Sequence, residues 1–159
     1  MAKFKLDETD HQILDILVDN TRIPFTDIAK KLLISAGTVH VRVKKMEEAG
    51  IIKGSSLTLD YNKLGYSFIA YVGIFLKNTS QTKFVLERIK EIPYITVAHI
   101  TTGKFNVFCK IRAKDTSHAN DIIFRLDDIE GVYRTETMIS LEESINDKKR
   151  LMYTIFNEL

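Results

Sequence analysis

The run Ser35-Ala36-Gly37-Thr38-Val39-His40-Val41-Arg42-Val43-Lys44-Lys45-Met46-Glu47-Glu48-Ala49-Gly50 decides how the first third of this chain is read. At about 100° per residue it places Val39, Val43 and Met46 on one stripe. The opposite face carries Gly37, Thr38, Val41, Lys44 and Lys45, with Arg42 on its flank and His40 between the faces. Ser35 is a good N-cap because its hydroxyl can accept from a free N–H of the first turn, and Gly50 suits the left-handed residue just past the end. The spacing predicts a helix with defined ends, one apolar seam and an outer face of small and basic residues. That layout suits DNA, since small residues near the helix start let the backbone approach base edges and cations further along reach phosphates. A solvated amphipathic helix would carry the same pattern, so the neighbouring segments decide.

Upstream, Asp7 opens a first helix with Asp10 three residues on, where its carboxylate can cap in return; both acids favour the positive end of the helix dipole. The apolar stripe of this helix is Ile13, Leu14, Leu17 and Val18, and it stops before Asn20-Thr21-Arg22-Ile23-Pro24. A second helix is predicted over residues 26–32, burying Ile28, Ala29 and Leu32. Three short helices with tight connections, the third one basic, make a helix-turn-helix unit. Downstream, residues 51–60 form two extended runs around a small-residue turn, which suits a β-wing. Charge distribution agrees. Residues 1–29 hold three basic against six acidic side chains, whereas residues 30–54 hold six basic against two acidic. The net charge of +2 is mild, but its concentration around the third helix is an electrostatic footprint for DNA.

Tyr61-Asn62-Lys63-Leu64-Gly65 reads as a junction, dividing the chain into a winged helix-turn-helix over 1–60 and a second domain over 66–159. In that domain the pattern predicts a strand over 68–76, a helix over 80–90 ended by Pro93, strands over 94–102 and 106–111, a helix over 116–126 and a strand over 132–141. The order β-α-β-β-α-β is ferredoxin-like, and the whole chain is α+β. Both helices of such a fold cover one face of the sheet, yet residues 68–76 are apolar at odd and even positions alike. The open face is therefore expected to bury itself against another copy, and a two-fold dimer presents two recognition helices to a pseudo-palindromic site. The tail is charged over 142–150, and Leu151-Met152-Tyr153-Thr154-Ile155-Phe156 fits either an extra edge strand or a short docking helix.

A hydrophobic content of 45% in 159 residues is enough for a real core. Cys109 is the lone cysteine, which rules out an intramolecular disulfide, and its apolar surroundings make it a small buried hydrophobe. No apolar run reaches membrane-span length and the N-terminus lacks a signal-peptide core, so a soluble cytoplasmic protein with no membrane partner is expected. There is no paired carboxylate, nucleophile triad or metal-ligand spacing, hence no expected enzyme activity, cofactor or metal.

On these residues the chain resembles the Lrp/AsnC (feast/famine) family of transcriptional regulators. The likeness spans residues 6–141: Leu6-Asp7-x-x-Asp10-x-x-Ile13-Leu14, then Ser35-x-Gly37-Thr38-Val39-x-x-Arg42-Val43-x-x-Met46-x-x-x-Gly50-Ile51-Ile52, Leu64-Gly65-Tyr66, and Thr101-Thr102-Gly103. The run from Gly37 to Val43 and Arg134-Thr135-Glu136-Thr137 are closest to the asparagine-responsive AsnC branch. The resemblance implies DNA contacts from Ser35, Thr38, Val41, Arg42, Lys44 and Lys45, dimers assembling into octamers, and a small amino-acid effector such as asparagine. The effector would sit by Thr101, Thr102, Gly103, Lys104, Phe105 and Asn106, with Thr135 and Thr137, where a glycine turn exposes backbone groups to an ammonium and a carboxylate. An ordinary hairpin in which Gly103 supplies a positive φ is the alternative for that turn. Two other functions stay open: a siroheme-decarboxylase-like enzyme using His99 or His118, and an effector-binding oligomer without DNA contact. The first gives the basic helix no purpose, and the second leaves the charge segregation unexplained.

Overall fold

The computed structural model describes residues 5–147 together with Leu151, Thr154 and Ile155. Its elements are α1 (Glu8–Asp19), α2 (Phe25–Leu32), α3 (Ala36–Glu48), β1 (Phe68–Leu76), α4 (Thr82–Lys90), β2 (Ile95–Ile100), β3 (Val107–Ala113), α5 (Thr116–Asp127) and β4 (Val132–Ile139), with a 3-10 turn, Thr79–Gln81, leading into α4. They divide into two compact units, Met1–Thr58 with Ile145–Leu159, and Leu59–Ser144. The C-terminal segment thus groups with the helical unit, whereas the sequence pattern carries it with the sheet. Of the two conformations open for the tail, Leu151, Thr154 and Ile155 take the helix; Met152, Tyr153 and Phe156 lie outside the described residues. No helix among the described residues is long and apolar enough to cross a membrane.

In the helical unit α1 starts with the expected capping box. The Asp10 N–H donates to Asp7 Oδ1 at 2.8 Å and the Asp7 N–H donates to Asp10 Oδ2 at 3.1 Å. Ile13, Leu14, Ile28, Ala29, Val39, Val43 and Met46 are buried together, with Leu17, Leu32 and Ile52 half-buried against them. Val18 is 39% exposed and leaves the stripe assigned to it, because it lies a further 100° round the helix from Leu17. Between α2 and α3 the chain turns on Leu33, a left-handed residue (φ 56) whose side chain stands in solvent at 93% exposure. The expected wing hairpin is not formed: residues 51–60 carry no strand pairing. Its arms are too short to supply the cross-strand contacts that an isolated two-stranded ribbon needs.

The sheet has the order β2-β3-β1-β4 with antiparallel neighbours, the ferredoxin-like arrangement. Strand alternation sends Ala70, Val72 and Ile74 of β1 and Val107, Cys109, Ile111 and Ala113 of β3 to one face. There they meet Val85 and Ile89 of α4 and Ala119, Ile122 and Leu126 of α5. On the open face, Tyr71 and Phe75 are half-buried without a partner subunit, because rings and cations of the same chain roof them. Tyr71 stacks on Phe108 at 5.7 Å, Phe105 meets Phe75 at 5.2 Å, and the Arg134 guanidinium lies 4.2 Å from the Phe75 ring centre.

A left-handed conformation costs an L-residue about 1–2 kcal/mol, more than the roughly 0.4–1 kcal/mol of extra unfolded-chain entropy that glycine brings. Leu33→Gly is therefore expected to raise the urea midpoint of unfolding and Leu33→Val to lower it. A lower midpoint for the glycine variant would contradict this account of the turn.

Candidate functional site

Ser35 caps α3 as its position requires, its Oγ accepting from the Thr38 N–H at 3.0 Å and sharing a hydrogen bond with Thr38 Oγ1 at 2.8 Å. Both hydroxyls remain exposed at the helix start. Beyond them Gly37 is open on its outer side, Val41 is 50% exposed, and Lys44 and Lys45 stand in solvent. Lys44 makes only a loose pair with Glu48 at 3.9 Å, and no ion pair of Lys45 is found among the described residues. His40 is exposed beside the Phe25 ring, 6.0 Å between centroids. The seam of Val39, Val43 and Met46 faces inward, so the predicted division of the helix holds.

Arg42 is turned away from that outer face. Its Nη1 donates to Asp7 Oδ2 at 2.7 Å and to Asp10 Oδ1 at 2.8 Å, joining α3 to the capping box of α1. The Asp10 backbone N–H and then the Arg42 guanidinium hold the Asp7 carboxyl below its ordinary value of 3.8, while hydrogen bonds to Asp10 and Asp7 push Arg42 up. The guanidinium assigned to bases or phosphates is thus engaged within the unit. A concavity of about 750 Å³ runs along this side, lined by Lys5, Asp7, Asp10, Ser35, Gly37, Thr38, Val41, Arg42 and Lys45. Lys5 belongs to no motif and was missed for that reason; only its approach to α3 in space reveals it.

The second expected site is the connection between β2 and β3, residues 101–106. Thr101 Oγ1 donates to the Phe105 carbonyl, and the Thr101 N–H donates to the Asn106 carbonyl at 3.2 Å. Asn106 Oδ1 accepts from the Leu76 N–H at 2.9 Å, where the β1–β4 register slips between Phe75 and Leu76. Its acceptor is therefore spent on repairing the ladder. Gly103 does not take the positive φ of an ordinary hairpin glycine, and nothing approaches the place of its missing Cβ. Phe105 lies flat on Gly73, where a Cβ would meet the ring at 2.3 Å. Lys104 Nζ bonds Glu136 Oε2 at 2.6 Å and Arg134 Nη2 lies 3.0 Å from Glu136 Oε1, so the Lys104 hydrogen bond foremost holds the Glu136 carboxyl below the usual range.

Thr102 is exposed on the same connection. Thr135 and Thr137 pair with Ile74 and Val72 and so face the helices, whereas Glu136 pairs with Gly73 on the open face. The fold brings Lys104 and Phe105 to Glu136 and Arg134, not to Thr135 and Thr137. Strict alternation along β4 was the signal that separates the two sets. Cys109 is buried, and burial pushes its thiol up to about 12, which leaves it an inert core side chain. His99 pairs with Phe108 on the open face, while His118 sits on α5 against Tyr94 at 4.3 Å, so the two histidines do not converge.

Residues 6–53 match a winged helix-turn-helix DNA-binding family, and residues 69–149 match the Lrp/AsnC ligand binding domain. Regulatory protein AsnC of Haemophilus influenzae is 33% identical over 141 residues, 88% of this chain and 94% of that one. The structure of E. coli AsnC aligns with a TM-score of 0.87 at 30% identity, covering 91% of this chain and 97% of that one. A feast or famine regulatory protein from M. tuberculosis complexed with L-methionine shares the fold, with a TM-score of 0.83 at 22% identity over 91% and 97% of the two chains.

Because the folded-state value of Asp7 is depressed, its contribution to stability is present above 3.8 and is lost as pH falls through the lower folded value. Asp7→Asn is expected to lower the urea midpoint near neutral pH and to match the unsubstituted chain well below 3.8. A gap that persists in strong acid would remove the ionised carboxylate as its cause.

Proposed function

We propose, for a chain that belongs to the Lrp/AsnC family of transcriptional regulators, that α3 reads duplex DNA and that the Lys104–Glu136 corner of the sheet unit takes an amino-acid effector that modulates assembly or DNA affinity. The observation that carries the first half is the outer face of α3, where small, hydroxyl, apolar and basic side chains follow one another in solvent. Ser35 and Thr38 meet base edges or phosphates near the helix start, and Val41 touches a thymine methyl. Lys44, Lys45 and Lys5 hold phosphates. Arg42 takes no DNA contact in this reading.

The second half rests on the match of residues 69–149 to a ligand binding domain and on the chemistry of the corner. A free amino acid carries a carboxylate for Lys104 or Arg134 and an ammonium for Glu136, and the open side of Gly103 gives it room. Thr135 and Thr137 face the helices and take no part. Asparagine is the first effector to try, given the likeness to AsnC proteins. Val97 and Met138, 41% and 42% exposed on the open face of the sheet, support a homodimer, and further association of dimers into octamers belongs to the same reading. In this reading the protein works in the cytoplasm as a regulator without enzymatic activity; the naming of its relatives as regulatory proteins supports the regulatory role.

On a mixed-sequence duplex, log affinity should fall linearly with log salt, and Lys44→Ala or Lys45→Ala should each reduce the slope by about 0.9. Unchanged slopes would take these lysines off the DNA. Thermal unfolding with each amino acid in turn should show one that stabilises by about 2.7 kcal/mol at a hundredfold excess over its Kd, with the shift lost in Glu136→Gln. The absence of any shift, together with unaltered sedimentation, would overturn the effector reading.

A further inference from the structure

Arg42 stands in the recognition helix without a free Nη1, and the carboxylates that occupy it line the same concavity as Ser35, Thr38 and Lys45. We infer that Asp7, Asp10 and Arg42 form a positioning clamp: it sets the roll of α3 against α1 and offsets the charge of two carboxylates that flank the DNA face. The inference rests on the DNA-reading function proposed above and gives Arg42 a role in it other than contact.

Both N–H donors of Arg42 Nη1 are taken up. Each carboxylate places one oxygen on a backbone N–H of the capping box and the other on Arg42 Nη1, at 2.7 and 2.8 Å. Asp10 is 5% exposed, so releasing Arg42 would leave its charge buried and unanswered. Val39, Val43 and Met46 make a single apolar seam that holds α3 against its neighbours. Arg42 projects about 100° from Val43, so a bond from it is off the seam and resists turning. Even a small roll of α3 would move Val41 and Lys45 across the groove they are meant to enter.

Electrostatics point the same way. Without Arg42, Asp7 and Asp10 would present two negative charges beside the surface that phosphates approach, and the half-exposed Asp7 would repel them directly. With it, one of the two negative charges is offset, and the free positive charge of the face is that of Lys5, Lys44 and Lys45.

The clamp is tested with the full chain on two probes: a mixed-sequence duplex titrated across salt, and a site obtained by selection in vitro with the unsubstituted protein. Arg42→Ala is expected to lower the salt slope on the mixed duplex by less than one phosphate contact, through the uncovered Asp7 charge, and to lose about tenfold in the ratio of selected-site to mixed-duplex affinity, measured where circular dichroism shows the variant folded. Arg42→Lys, whose ammonium keeps the charge but not the rigid planar fork, should recover part of the ratio. Asp7→Asn keeps the Asp10–Arg42 pair, is expected to fold, and should lose part of the ratio with no loss of slope. A slope reduced by about 0.9 in Arg42→Ala would make Arg42 a phosphate ligand and overturn the clamp. An unchanged ratio in folded Arg42→Ala, or in Asp7→Asn if the alanine variant does not fold, would leave the cluster a stability device only and overturn it too. No salt-dependent binding by the unsubstituted chain would instead overturn the DNA-reading function itself, and the clamp with it.

Discussion

A carboxylate taken out of water has to be answered, and in the helical unit that constraint falls on Asp10, at 5% exposure. Its answer comes from two directions. The Asp7 N–H caps it locally, and Arg42, from a helix thirty-two residues further on, supplies the opposite charge at 2.8 Å. Helix capping, the packing of α3 on α1 and the electrostatics of the outer face therefore meet at one network. The apolar seam of α3 holds the helix down, and the charged network beside it fixes which side chains look outward.

The sheet unit meets the same kind of demand by different means. Its central strands β1 and β3 bury one face under α4 and α5, and alternation turns Tyr71, Phe75 and Phe108 to the other. These rings are not left bare. They stack on one another and carry Lys104, Lys110 and Arg134 over their faces, while Glu136 ties two of those cations together. Gly73 is what lets Phe105 lie down on the sheet, since any side chain there would strike the ring. The result is a surface both aromatic and charged, the chemistry that suits an amino acid with its paired charges or another copy of the same face.

Much of this was legible in order along the chain. Periods of 3.6 and 2 placed the helices and strands, often to within a residue, as at β1 and at the start of α5. The caps at Asp7 and Ser35, and the left-handed Gly50, followed from residue type alone, because each concerns atoms within one turn. The short arms after Gly50 read as strands but form no ladder, since a strand's existence depends on a partner that local pattern does not supply. Thr135 and Thr137 matched a motif whose register then turned them to the helix side.

The sequence by itself determined the family, the order of elements, the division into a DNA-binding and a ligand-binding part, and the inward face of α3. The family and the ligand-binding part follow from the resemblance carried by motifs in order along the chain, and the rest from short-range periodicity and counted charges. Only the tertiary structure decided that Arg42 answers Asp7 and Asp10, that Lys104 meets Glu136 beside Arg134, and that Asn106 is spent on the slip in the ladder. Those pairings join residues about thirty positions apart, and a long charged side chain on the flank of a helix can reach either solvent or a neighbour. Which it reaches is set by where folding puts the opposite charge and how much water remains between them.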